Sequence, residues 1–90
     1  MPLKTVSIRV SGRVQGVGFR YFAKLKADEL EISGWVKNLP GYKVEIEAQG
    51  ESENLITFTE WMKIGPARAI VKSFSVTEIP FGTYQSFHIR

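Results

Sequence analysis

Cysteine is absent from this chain of 90 residues, and histidine occurs once, at His88. The missing thiols exclude disulfide scaffolds, thiolate metal sites and cysteine nucleophiles. A single imidazole excludes a multi-histidine metal site and a histidine-pair mechanism. Long apolar runs are missing too. The runs present extend only a few residues, far short of the roughly 20 that a spanning helix needs. No basic-then-apolar signal pattern precedes Thr5, where a strand-like pattern begins. A cytoplasmic protein with no membrane partner is the expectation. Prolines are few and scattered, no linker-like segment interrupts the chain, and one domain over residues 1–90 is expected. Neither sign of charge dominates: 12 Lys and Arg against 9 Asp and Glu leave a net +3. That mild excess favours anionic partners without choosing between nucleic acid and a phosphorylated small molecule.

What is present is an ordinary globular composition. Hydrophobic residues make up 43% and charged residues 23%, close enough to average values to exclude intrinsic disorder. Val6, Ile8 and Val10 alternate with Ser7 and Arg9, the period of a half-buried strand that ends at Ser11-Gly12. A glycine-punctuated loop follows, Arg13-Val14-Gln15-Gly16-Val17-Gly18-Phe19-Arg20. From about Arg20 to Glu31 the pattern is helical, with Phe22, Ala23, Ala27 and Leu30 on one face, Phe19 entering it and Leu25 off it. Trp35–Leu39 reads as a second strand stopped by Pro40-Gly41. Val44, Ile46 and Ala48 alternate with Glu45, Glu47 and Gln49 in a third. Ser52 is the expected N-cap of a second helix, whose stripe is Leu55, Phe58 and Met62 with Trp61 on its flank. Trp35, Phe58 and Trp61 are expected in the core or at its edge. Gly65-Pro66 stops that helix, Ile70 to about Ile79 forms a fourth strand, and Phe87 with Ile89 a short closing one. The order is βαββαβ plus the closing strand. It predicts an α+β ferredoxin-like sandwich, mainly antiparallel, with two helices on one face. That architecture carries many functions, so function must come from a site.

The loop before the first helix is the first candidate. Gly16 and Gly18 take positive φ cheaply, so successive backbone N–H groups can converge on an anion. The loop then feeds a helix N-terminus, which also favours negative charge. The spacing fits neither a dinucleotide fingerprint nor a P-loop. An ordinary strand-to-helix turn is the bland alternative. Arg20 tilts the balance, because a cation in a first helical turn costs about 0.3–1 kcal/mol against the dipole. A bound phosphate reverses that sign, and the guanidinium offers a bidentate fork. Asn38 is the second candidate, with turn chemistry as its alternative role. His88 alternates away from Phe87 and Ile89 and reads as exposed. Glu45 and Glu47 read as a solvated face.

Two segments carry a family resemblance. Gly12-Arg13-Val14-Gln15-Gly16-Val17-Gly18-Phe19-Arg20 resembles the signature of the acylphosphatase family, and Gly34-Trp35-Val36-Lys37-Asn38-Leu39 resembles its second signature. The likeness continues through Val44-Glu45-Ile46, Ala48-Gln49-Gly50, Gly65-Pro66 and Phe87-His88-Ile89-Arg90. It implies the ferredoxin-like sandwich and the metal-independent hydrolysis of acyl phosphates to a carboxylate and inorganic phosphate. Arg20 matches the family's phosphate-binding arginine, and Asn38 the asparagine that orients the attacking water. The backbone amides of Gln15, Gly16, Val17, Gly18, Phe19 and Arg20 match its phosphate cradle. No metal and no covalent cofactor is implied. The expected partners are a small acyl phosphate and inorganic phosphate, with no nucleic acid, and the expected state is a monomer. The Gly41-Tyr42-Lys43 turn and the short connection from Pro80 to Tyr84 depart from the family pattern.

An acyl phosphate already has a good leaving group, so a strong general acid is unnecessary and positioning with electrostatics suffices. The base is left open, the substrate phosphate itself being one choice. Two other classes stay in play. One is a single-stranded RNA binder on the sheet, against which stands the lack of an exposed aromatic row. The other is a sensor that binds phosphate without hydrolysing a substrate.

Overall fold

The computed structural model describes residues 2–90. The elements are β1 (Leu3–Arg13), α1 (Phe19–Glu29), β2 (Ser33–Leu39), β3 (Lys43–Glu51), α2 (Ser52–Ile64), β4 (Ile70–Ile79) and β5 (Phe87–Ile89). They build one five-stranded sheet in the order β4-β1-β3-β2-β5. β1 pairs antiparallel with β3 and β4, β2 pairs antiparallel with β3, and β5 runs parallel to β2. The sheet is mixed, and the expected ferredoxin-like order holds.

Strand period decides which face each side chain takes. Val6, Ile8 and Val10 of β1, Val36 of β2, and Val44, Ile46 and Ala48 of β3 are buried in the main core. Phe19, Ala23 and Ala27 of α1 and Leu55, Phe58 and Met62 of α2 close over them. Both helical stripes are those the periodicity predicts. Each large apolar side chain buried there contributes roughly 1.5–3 kcal/mol by leaving water.

Several local expectations shift. β1 continues through a register irregularity at Ser11/Gly12 to Arg13, because β4 pairs with it as far as Ile70. Helix α1 spans Phe19–Glu29, so it starts and stops earlier than its periodicity suggested. Ser52 is not the N-cap of α2; Glu51 is, with extended dihedrals and no side-chain capping bond. The physical reason is that β3 remains paired with β1 up to Glu51, and the Ser52 N–H donates to the Pro2 carbonyl at 3.0 Å. The strand therefore runs into the helix with no loop between them.

Trp35 meets the expectation of a residue in the core or at its edge. It is buried, but outside the main core cluster. Its neighbours Gly34 and Val36 take the opposite parity, so its indole lies on the sheet face away from the helices. There the guanidinium of Arg90 lies 4.6 Å and the ammonium of Lys37 5.1 Å from its ring centroid. Trp61 is exposed at the core edge, with Lys26 Nζ 4.0 Å from its ring. His88 is exposed, as expected.

Candidate functional site

The loop between β1 and α1 places Gly16 at φ 72° and Gly18 at φ 83°. A Cβ at either glycine meets nothing within 4 Å. Glycine serves there for its backbone conformation and leaves the space beside the loop clear. Gly18 is the N-cap of α1, without a side-chain cap and with no acid in the first turn. The first helical bond runs from the Phe22 N–H to the Gly18 carbonyl at 3.0 Å. The N–H groups of Phe19, Arg20 and Tyr21 therefore precede the helical ladder, where the dipole is positive.

These groups border a cleft of about 160 Å³ lined by Val14, Gly16, Gly18, Phe19, Arg20, Tyr21 and Asn38. Asn38 reaches it from the end of β2, paired with Val44 of β3. It shares parity with Val36, so it sits on the helix-covered face, at the end where α1 begins. Arg20 and Asn38, far apart in sequence, thus share one cleft with three residues of the glycine loop. Gln15 and Val17 do not line it. Val17 packs partly buried against the core. No Asp, Glu or His side chain among the described residues lines the cleft. Among the described residues, no group of three or more His, Asp or Glu comes together in a way that could hold a metal.

Two polar ties hold this arrangement, and neither was legible from local pattern. Gln15 Nε2 donates to the Leu39 carbonyl at 2.6 Å and to the Lys43 carbonyl at 2.9 Å. One side-chain amide thereby clamps the glycine loop to the turn that follows Asn38. That turn holds Gly41 and Tyr42 both at positive φ, and the Gly12 N–H donates to the Tyr42 carbonyl at 3.4 Å. The second tie is at Arg20, whose Nη1 donates to the main-chain oxygen of Arg90 at 2.9 Å. The guanidinium is held in place from the far end of β5. Both ties end on main-chain oxygens, which carry no residue-type signal.

Comparison with known proteins gives one consistent result. The acylphosphatase family model matches residues 6–89. The acylphosphatase of Chlorobaculum tepidum is 47% identical over 83 residues, covering 92% of this chain and 90% of that protein. The solved acylphosphatase of Coxiella burnetii superposes with a TM-score of 0.94 at 41% identity, covering 98% of this chain and 93% of that one. That of Bacillus subtilis gives 0.93 at 42% identity, covering 99% of both chains. Among the described residues no helix is long and apolar enough to cross a membrane. Sequence, fold and the family model agree over nearly the whole length: the chain belongs to the acylphosphatase family, the hydrolases of acyl phosphates.

Proposed function

We propose that this chain hydrolyses acyl phosphates in the cleft between the glycine loop and Asn38, with Arg20 as the phosphate ligand. The observation that carries the reading is the cleft's composition. A cation occupies the first turn of a helix without a side-chain cap and lines a cleft beside two left-handed glycines, with no acidic side chain among the described residues of that lining. By itself Arg20 opposes the dipole, whereas beside a phosphoryl group the dipole, amides and guanidinium all act on one anion.

In this reading the backbone amides from Gln15 to Arg20 receive the phosphoryl oxygens. The Arg20 guanidinium shares them through a charge-assisted fork. Its Nη1 bond to Arg90 fixes the plane of the group and leaves further donors for the ligand. Asn38 holds a water in line with the bond from phosphorus to the carboxylate oxygen. The water oxygen bonds to phosphorus and the carboxylate departs with the electron pair of the broken P–O bond. Since no Asp, Glu or His side chain among the described residues lines the cleft, we assign the water's proton to a phosphate oxygen. Catalysis is positioning plus electrostatic stabilisation and requires no metal. The same reading takes residues 1–90 as one domain, active as a monomer. The absence of cysteine suits a reducing cytoplasm.

The test is hydrolysis of benzoyl phosphate with EDTA present, for the parent protein and Arg20→Ala. The expected result is metal-independent turnover that falls by about 10²–10³ in the variant, the loss seen when one preorganised donor is removed. A folded parent protein with no more turnover than Arg20→Ala refutes the reading.

A further inference from the structure

The connection between β4 and β5 has a role that the cleft alone does not reveal. β4 and β5 lie at opposite edges of the sheet, so residues 80–86 must cross its whole width. They cross the face away from the helices. The contacts on β3 are with Gln49 and Glu47, which alternate with buried Val44, Ile46 and Ala48. The Gly82 N–H donates to Gln49 Oε1 at 3.1 Å, and that oxygen also accepts from the buried Thr5 hydroxyl at 2.6 Å. The Tyr84 hydroxyl donates to Glu47 Oε1 at 2.5 Å. The tyrosine ring lies so close over Gly82 that a Cβ there would stand 2.6 Å from its Cζ. Glycine at 82 is what lets the ring fold back and reach Glu47.

Beyond the crossing, the chain enters β5 and ends its pairing with the Arg90 N–H on the Val36 carbonyl at 2.8 Å. Arg90 then faces two ways. Its guanidinium rests on Trp35, on the face that the strap crosses. Its main-chain oxygen receives Arg20 Nη1, on the side of the cleft. A continuous set of contacts thus links Glu47 at the centre of one sheet face to Arg20 on the other.

We propose that Tyr84, through its bond to Glu47, is a positioning residue: it pins the strap so that Arg90 presents its main-chain oxygen to Arg20 and holds the guanidinium ready for phosphate. The strap touches neither substrate nor cleft; it acts through β5. Three further bonds fix β5 itself, the Gly34 N–H to the Ser86 carbonyl at 3.0 Å, Lys24 Nζ to the Phe87 carbonyl at 3.1 Å, and the Arg90 N–H to Val36. The tyrosine thereby sets the one segment of the path that lacks sheet pairing. Burial first, then the hydrogen bond and the charge of Glu47, push the Tyr84 phenol up to about 12, with Arg90 partly opposing them. At neutral pH the hydroxyl is therefore a donor.

The inference rests on Arg20 being the phosphate ligand. The experiment is inorganic phosphate affinity by isothermal titration, which needs no turnover, on Tyr84→Phe, Arg20→Ala and the double variant. Tyr84→Phe is expected to weaken phosphate binding about three- to tenfold, the range of one hydrogen bond. In the Arg20→Ala background the same change is expected to have no further effect, because nothing is left to position. A purely structural role predicts the same loss in both backgrounds, and that result overturns the proposal, as does unchanged affinity in Tyr84→Phe. If Tyr84→Phe does not fold, Glu47→Gln weakens the same bond from the other side and is held to the same criteria. Phosphate affinity that ignores Arg20→Ala removes the parent reading, and the positioning role with it.

Discussion

The two faces of the sheet are organised by different physics. The helix-covered face is apolar and close-packed, with Ile8, Ile46, Phe58 and Phe87 fully buried and Phe58 set edge-on to Phe87 at 5.9 Å. The other face is held by discrete polar contacts. Arg9 donates to Glu45 Oε2 at 3.0 Å, Tyr84 to Glu47, Thr5 to Gln49, and Ser11 and Ser73 share a hydroxyl hydrogen bond. Non-directional burial is large in energy and tolerant in geometry. Hydrogen bonds add little net stability but are strict about position. The first face keeps the chain folded. In the positioning role proposed for Tyr84, the second sets the path of the strap that leads into β5 and, through Arg90, the placement of Arg20.

Breaking the apolar face should produce the largest loss. Phe58→Ala is expected to cost about 3–5 kcal/mol in denaturant-melt stability, as for other large-to-small core changes. A cost below 1 kcal/mol would erase the contrast between the faces. At the cleft, Asn38→Ala should lower kcat far more than it weakens phosphate competition, whereas Arg20→Lys should recover little of what Arg20→Ala loses, since a point charge lacks the fork. Equal losses of turnover and competition in Asn38→Ala would make it a binding or folding residue. Near-normal turnover in Arg20→Lys would remove the bidentate role.

The polar face should reveal itself in alkali. Tyr84 is ordinary at about 10 in the unfolded chain and pushed up to about 12 when folded. The folded state therefore retains its proton longer. This contribution is fully present below pH 10 and is lost as pH rises towards 12. Stability against urea should fall across that window and the step should be absent in Tyr84→Phe; an identical fall in the variant would assign it to other groups. The smallest effect belongs to the Arg9–Glu45 pair, whose arginine side chain is 62% exposed. Arg9→Ala should change stability by about 0.2–1 kcal/mol, less at high salt. A larger loss would make this face a stabilising element in its own right.

Legibility in the sequence follows the same division. Alternation at Val6-Ile8-Val10 and Val44-Ile46-Ala48, and the stripe Leu55-Phe58-Met62, mark the core because burial imposes a period on residue type. The cleft is legible at Arg20, since a first-turn arginine stands out against local expectation, whereas Asn38 taken alone reads as ordinary turn chemistry and gains its role from the family resemblance. The Gln15 clamp, the Arg90 anchor and the Tyr84 bond to Glu47 are not legible. Each joins residues distant in sequence through a main-chain oxygen or one side-chain oxygen, and no periodicity encodes such a pair. Trp35 is buried, as its type says, and only strand parity says on which side of the sheet. Ser52 misled because cross-strand pairing extended one residue further than its capping chemistry suggested.

The central claim is that phosphate sits on the amides of the glycine loop and on Arg20. Amide NMR during titration with inorganic phosphate tests it most directly. The account predicts saturable shifts that are largest at the N–H groups from Gly16 to Arg20, and their loss in Arg20→Ala. Shifts centred instead on Arg9, Lys43 and Ser75 of the opposite face, or none at the loop, would contradict it.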